Sequence, residues 1–229
     1  MEETLASSGM KQHSVSLSQS FRHGCRNYYF RKLARYLQPR EYQRVQRLRS
    51  RAGPQITIPE LLYLRWGIRK FRPRVIVEIG SFNGASTSLM TDQLQQLGVG
   101  KLYAIDFFAQ STEGKGHGGE YWEVFDQTMQ PFLGWFEKVE GDSKTVPWHR
   151  PIDFLFIDGD HSEAGVSADI HKYTPFVKVG GCVFLHDYLD NPQRTNLVKT
   201  VVDRTLRCDP AYRLLGQVSS LVAFQKLRS

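Results

Sequence analysis

Apolar residues change their spacing repeatedly along this chain, and each change marks an element. From Phe21 to about Ser50, Tyr28, Leu33, Tyr36 and Leu37 recur at helical spacing, and Pro39 predicts a break into two helices. Gly53-Pro54 marks a turn. Pro59 opens a short helix over Glu60–Lys70, and Pro73 closes it. Val75–Ile79 is a short run broken only by Glu78, which reads as a buried parallel strand. Gly80 and Gly84 punctuate the turn that follows, and Ala85 starts a helix. The alternation then continues: strand 101–107, helix 121–132, strand 136–140, strand 152–157, helix 162–173. Gly180-Gly181 predicts a turn into a strand over 182–185, and residues 193–207 predict a helix with Val198, Val201, Val202 and Leu206 as its stripe. Tyr212–Leu215 and Leu221–Gln225 predict a closing hairpin. Residues 1–20 are Ser-rich without periodicity and predict a disordered tail.

Strands alternating with helices imply an α/β fold, a doubly wound and mostly parallel sheet with helices on both faces. The expected organisation is a disordered tail over 1–20, a basic helical extension over 21–54 and a cofactor-binding domain over 55–229. Ligands in such folds bind beyond the carboxyl ends of the strands. Four strands here end in or near an acid, namely Glu78, Asp106, Asp158 and Asp187, and Asp142 follows a fifth. One such Asp is an ordinary cap or turn residue. Five at one edge point to a site.

The strand–turn–helix corner at 75–87 carries G-x-x-x-G and lacks the G-x-G-x-x-G spacing of dinucleotide folds. Glu78 in the strand end suits a cofactor with a cationic amino-acid portion better than a pyrophosphate. That cofactor would be S-adenosylmethionine (SAM). Asp106 lies 26 positions after Gly80, where a carboxylate can accept both ribose hydroxyls. Phe107 and Phe108 either pack on the adenine or belong to the core. Asp142 and Ser143 either read the adenine amine or cap a turn.

The second constellation is Asp158-Gly-Asp-His161 with His186-Asp187-Tyr188. Oxygen ligands from two neighbouring strand ends can hold Mg²⁺ or another hard divalent ion, which lowers the pKa of a substrate hydroxyl. His161 is either the base that removes the hydroxyl proton or a cap and buttress of the next helix. His186 has three readings: metal ligand, substrate contact, or orienter of Asp187. The loop 109–120, with His117 and four glycines, reads either as a lid or as a surface loop.

Charge changes the picture at one place. Of the net charge of +7, residues 21–52 contribute ten Lys/Arg against the single acid Glu41. The segment either binds nucleic acid or an anionic membrane surface, or is a solvated helical face packed on the domain or a second subunit; the last is the plainer reading. No apolar run is long enough to span a membrane, and the start, Met-Glu-Glu, has no signal-like apolar stretch. Three cysteines without C-x-x-C spacing argue against a disulfide framework or a zinc site and for a reducing cytoplasm.

Residues 55–226 resemble class I SAM-dependent methyltransferases, and most closely the small O-methyltransferase-like group related to metal-dependent sugar O-methyltransferases. The resemblance rests on Val75–Thr87 and on Phe156–Ser162, both nearly complete and correctly spaced. It implies a seven-stranded sheet whose final pair includes the only antiparallel strand. It implies that Glu78, Gly80, Ser81, Gly84 and Ser86 line the methionine end of SAM, that Asp106 with Phe107 holds the nucleoside, and that Asp142 and Ser143 meet the adenine. It further implies Asp158 and Asp187 as metal ligands and His161 as base, acting on a small-molecule hydroxyl. The related sugar enzymes carry an acid where this chain has His186, and catechol-type enzymes carry Asn where it has Tyr188. Three rivals remain at this stage: a nicotinamide dehydrogenase, whose Tyr-x-x-x-Lys is found only at Tyr28–Lys32; a nucleic-acid methyltransferase using the basic segment; and a catalytically silent SAM-binding module.

Overall fold

The computed structural model describes residues 39–108, 121–189 and 197–229. The expected tail, the first half of the basic extension and the loop 109–120 lie outside them. Seven strands form one sheet: β1 (Val75–Ile79), β2 (Lys101–Asp106), β3 (Phe136–Glu140), β4 (Ile152–Ile157), β5 (Val177–Leu185), β6 (Tyr212–Val218) and β7 (Leu221–Lys226). Their order is β3-β2-β1-β4-β5-β7-β6. The first five pair in parallel, and β7 runs antiparallel to both neighbours, as expected.

Helices cover both faces. On one lie α1 (Pro39–Ala52), α2 (Ile58–Phe71), α3 (Ala85–Leu97) and α4 (Tyr121–Met129); on the other lie α5 (Glu163–Tyr173) and α6 (Val198–Arg204). Side chains alternate across β1. Ile76 joins Leu61, Leu89 and Phe125 on the first face, while Val77 and Ile79 join Val166, Ile170 and Val201 on the second. By the same alternation Glu78 points at the first face, into α3. The chain builds outward from β1 through β2 to β3, then returns to place β4 on the other side of β1. That reversal creates the crevice where such folds bind ligands.

Some boundaries differ from the sequence reading. The helix expected over 121–132 stops at Met129 and tightens into a 3₁₀ turn, because Pro131 cannot continue the α-helical hydrogen bonds. Gly180-Gly181 does not turn the chain. It sits inside a longer β5 as an irregularity, with Ile152 opposite Val177 but Phe154 opposite Cys182. The helix expected to end at Arg207 ends at Arg204, and its expected start lies outside the described residues. No helix among the described residues is long and apolar enough to cross a membrane.

The described part of the basic extension, α1, is packed into the domain. Val45, Leu48 and Ala52 enter the main core. A polar network reinforces this packing. Arg44 Nε donates to both oxygens of Asp92 at 2.9 Å, and Arg65 pairs with Glu41 and reaches Gln96 Oε1 at 3.1 Å. The side chains of Arg65 and Asp92 are nearly wholly buried. Removing one member of a buried ionic network leaves its partners uncompensated. Arg65→Leu is therefore expected to cost about 3 kcal/mol in denaturant unfolding, with much of the loss recovered in Arg65→Leu/Asp92→Leu.

Candidate active site

The site begins at the β1–α3 corner. Gly80 has φ +82°, and a Cβ there would stand 2.3 Å from the Asp158 carbonyl oxygen. Only glycine lets β1 and β4 close this tightly at their carboxyl ends. Phe82 and Asp187 carry positive φ of 44° and 56°, as does Phe108 at 50°. Left-handed backbone at such residues costs energy, and three cases ring the same edge of the sheet.

Glu78 is fully buried and accepts hydrogen bonds from Ser81 Oγ at 3.2 Å, Ser86 Oγ at 2.5 Å and Thr87 Oγ1 at 2.6 Å. Burial pushes its carboxyl up to about 8 against the pull of these hydroxyls. Ser81 and Ser86 thus meet Glu78, while Gly80 packs against Asp158 and Gly84 against Phe125. Thr87 is a member that the sequence reading did not single out; its place one residue after Ser86 on α3 was the available signal.

Asp106 ends β2. Its Oδ2 accepts from the backbone N–H of Ser81 at 2.7 Å and of Phe82 at 2.9 Å, and its Oδ1 from Phe107 N–H at 2.7 Å. This ties the second strand end to the glycine corner. Phe107 is half exposed beside it, while Phe108 is buried edge-on against Phe125 and belongs to the core. Phe82 stacks on Tyr121 at 5.3 Å between centroids, forming an aromatic wall near Asp106.

Asp142 and Ser143 follow β3. Asp142 caps its own turn through Lys144 N–H at 2.9 Å. Ser143 Oγ donates to Asp169 Oδ1 at 2.6 Å, and its carbonyl accepts from Lys172 and Tyr173. Helix α5 therefore holds this loop from beneath. Asp169, which the sequence reading missed, is buried, and burial raises its carboxyl to about 6.

The second constellation converges at the ends of β4 and β5. Two carboxylate oxygens, Asp158 Oδ1 and Asp187 Oδ2, lie between two imidazoles. His161 Nε2 is 3.5 and 3.2 Å from them, and His186 Nδ1 is 3.1 and 3.5 Å from them. His161 Nε2 is buried and aligned with neither oxygen for a good hydrogen bond. Asp158 in first place, with Asp187, raises the His161 pKa. His161 does not cap α5; Ser162 does, accepting from Gly165 N–H at 3.1 Å. His186 is buried, with Nε2 3.3 Å from Ser220 Oγ and 3.5 Å from Glu60 Oε2.

Asp158, His161 and Asp187 are close enough together to offer one ligand atom each to a cation. Mg²⁺ keeps several waters and is held by one or two carboxylates, which Asp158 and Asp187 could supply. Among the described residues two carboxylates meet here, and imidazoles approach the same two oxygens from both sides. The Tyr188 hydroxyl is engaged elsewhere, donating to Asp203 and accepting from Arg207 at 2.7 Å.

Glu60 is the member least visible in the sequence. It sits three residues after Thr57 at the start of α2 and accepts from Thr57 N–H at 2.8 Å, a capping-box arrangement. That local role accounts for the motif, so nothing in the pattern announces its second role against His186.

Comparison with known proteins agrees with this geometry. Residues 77–188 match a family described as "Methyltransferase domain". Over 143 residues the chain is 30% identical to the uncharacterized protein R132 of Acanthamoeba polyphaga mimivirus; the match covers 55% of this chain and 58% of that protein's length. Among solved structures, the O-methyltransferase NovP superposes with a TM-score of 0.61 at 21% identity, covering 76% of this chain and 82% of NovP. An O-methyltransferase from Bacillus cereus in complex with SAH gives 0.62 at 14% identity, covering 85% and 96%. Likeness at these identities is a likeness of fold.

Glu78 generates a prediction. A carboxyl held near 8 is largely protonated at pH 7, and a cationic cofactor beside it favours the ionised form. SAM binding at pH 7 is expected to release up to about one proton, read as a dependence of calorimetric enthalpy on buffer ionisation enthalpy. Glu78→Gln is expected to abolish that dependence.

Proposed function

We propose that this chain, whose residues 77–188 are a methyltransferase domain of the class I fold, transfers a methyl group from SAM to a hydroxyl of a small molecule. The observation that carries this reading is the placement of His161. Its Nε2 lies between Asp158 and Asp187, at the strand ends beside the corner built by Gly80.

The roles follow from position. Glu78, with Ser81 and Ser86 around it, faces the methionine end of SAM. Asp106 takes the ribose hydroxyls, with Phe107 beside the nucleoside. The loop at Asp142 and Ser143 meets the adenine. The acceptor oxygen approaches from the side of β4 and β5.

His161 is the base. Its neutral ring, with the Nε2 proton facing Asp158 and Asp187, takes the hydroxyl proton on the other nitrogen as the oxygen attacks the methyl carbon; the carbon–sulfur bond breaks and S-adenosylhomocysteine leaves. Asp158 and Asp187 stabilise the imidazolium that forms. The protein makes no covalent intermediate, so its main contribution is to hold oxygen, carbon and sulfur in line. General-base assistance adds about 10²–10⁴ in rate. Asp158 and Asp187 would hold a divalent ion if one binds, and it would lower the pKa of the substrate hydroxyl. We place the protein in the cytoplasm, on its cysteine usage. Association of two copies through the N-terminal segment would involve residues 21–38, which lie outside the described residues.

The test is calorimetric titration with SAM and with S-adenosylhomocysteine, followed by turnover on a panel of phenols and sugars. Asp106→Ala is expected to weaken SAM binding at least about tenfold, as loss of a charged hydrogen-bond partner would. Absence of SAM binding in the wild type would sink the reading. A pH profile follows from His161. Its raised pKa means that the neutral base appears only as pH rises through a value above 6.5. Turnover is expected to climb through that range, and His161→Gln to lose about 100-fold and the acid limb together.

A further inference from the structure

One buried carboxylate at this edge of the sheet has no part in the transfer step. Asp169, on the inner face of α5, is 1% exposed and forms no ion pair among the described residues. The two nearby lysines are engaged elsewhere: Lys144 with Asp160 at 3.7 Å, and Lys172 with the carbonyls of Ser143 and Val146 at 2.6 and 2.5 Å. Asp169 Oδ1 instead accepts from Ser143 Oγ at 2.6 Å. Its Oδ2 faces Gly159, 3.6 Å from where a Cβ would stand. Asp169 therefore lies beneath two loops at once, the one after β3 and the one after β4. A carboxylate buried without a cation costs free energy that an apolar side chain would not. The loop after β3 has most of its acceptors in use. The Asp142 carbonyl accepts from the N–H groups of Thr145 and Val146 at 2.9 Å, and Asp142 Oδ1 from Lys144 N–H at 2.9 Å. The Ser143 carbonyl also takes the Tyr173 hydroxyl at 2.8 Å. The half-buried Ser143 hydroxyl is different, with one proton and two lone pairs. With its proton directed at Asp169, it offers only lone pairs to any other group.

We propose that Asp169 is a positioning residue that turns the Ser143 hydroxyl oxygen, as an acceptor, toward the exocyclic amine of the adenine, and so selects a 6-amino purine over a 6-oxo purine. The inference rests on the methyltransferase reading, in which the loop at Asp142 and Ser143 meets the adenine, and deepens it. The adenine amine offers hydrogens, whereas a 6-oxo group offers lone pairs. An acceptor-only hydroxyl fits the first and opposes the second. Released from Asp169, the hydroxyl could rotate its proton toward either group and would discriminate less. Burial raises the Asp169 carboxyl to about 6 against the pull of Ser143 and Lys144, and with Asp142 and Asp160 pushing the same way as burial. At about pH 7.5 the group is therefore ionised and accepts the serine proton rather than giving one. Lys172 and Tyr173 grip the loop through its backbone carbonyls, so the carboxylate sets the direction of one hydroxyl while its helix neighbours set the path of the chain. Helix α5 thereby serves both ends of the cofactor: His161 stands just before its first turn, and its inner face holds the adenine loop.

The experiment is calorimetric titration of the full chain with S-adenosylhomocysteine and with S-inosylhomocysteine, its 6-oxo counterpart, at about pH 7.5. The wild type is expected to bind the 6-amino ligand at least about 30-fold tighter than the 6-oxo ligand. Asp169→Ala is expected to lower that ratio about tenfold, chiefly by tightening the 6-oxo ligand. A loop merely loosened would weaken both ligands and would not produce that gain. Ser143→Ala is expected to lower the ratio about as far by weakening the 6-amino ligand. Asp106→Ala, which acts on the ribose common to both, is expected to weaken the two alike and leave the ratio unchanged. A wild type that binds both ligands equally, a ratio unmoved by Asp169→Ala or by Ser143→Ala, or an Asp169→Ala that weakens both ligands to the same extent would overturn the proposal. Ser143→Ala decides if Asp169→Ala does not fold, because it changes a half-buried hydroxyl and leaves the buried carboxylate in place. A wild type that binds neither ligand would strike the methyltransferase reading and this inference with it, whereas binding with an unmoved ratio strikes this inference alone.

Discussion

Carboxylates converge on one end of this sheet, and the molecule must neutralise them from within. Glu60, Glu78, Asp106, Asp158 and Asp187 all lie at or under the carboxyl edge of the parallel strands. Each is satisfied differently. Glu78 is ringed by hydroxyls and shifts toward its neutral form. Asp106 takes backbone N–H groups of the turn it closes. Asp158 and Asp187 lie between two imidazoles, and Glu60 leans on one of the same rings. An acid placed here without such a partner would cost more than the fold could spare. The chemistry of the site is consequently bound up with its electrostatic upkeep.

That requirement explains why so much of the chain supports so small a region. Helix α3 supplies Ser86 and Thr87 to Glu78, while α5 supplies Asp169, Lys172 and Tyr173 to the loop after β3. Helix α2 supplies Glu60, and the β6–β7 turn supplies Ser220. The antiparallel β7 matters here: it brings residue 220 back beside residue 60, which the parallel strands alone would not do. Helix α1 then packs over α2 and α3 through the Arg65–Asp92 network, so the basic extension contributes to holding the helix that carries Glu60.

Reading the sequence recovered most of the fold for a definite reason. Buried parallel strands such as Ile152–Ile157 are short apolar runs bounded by polar turns, and nothing else in the chain looks like them. The failures occur where local chemistry is ambiguous. Gly180-Gly181 has the composition of a turn, but neighbouring strands on both sides draw it into the sheet as an irregularity. The site followed the same rule. Asp158, His161 and Asp187 were legible because strand ends position them directly. Ser143 reads in the sequence as an adenine contact or a turn cap, and its side chain serves Asp169, a partner 26 positions away that no local pattern reveals.

The amino-acid order alone determined the alternation of elements, the mostly parallel sheet and the edge at which its acids gather. Those are consequences of spacing and residue type within a dozen positions. The tertiary structure decided what His186 does, because its meaning depends on residue 60 behind it and residue 158 before it. Long-range neighbours set the contacts of a buried ring, and one-dimensional spacing carries no record of them.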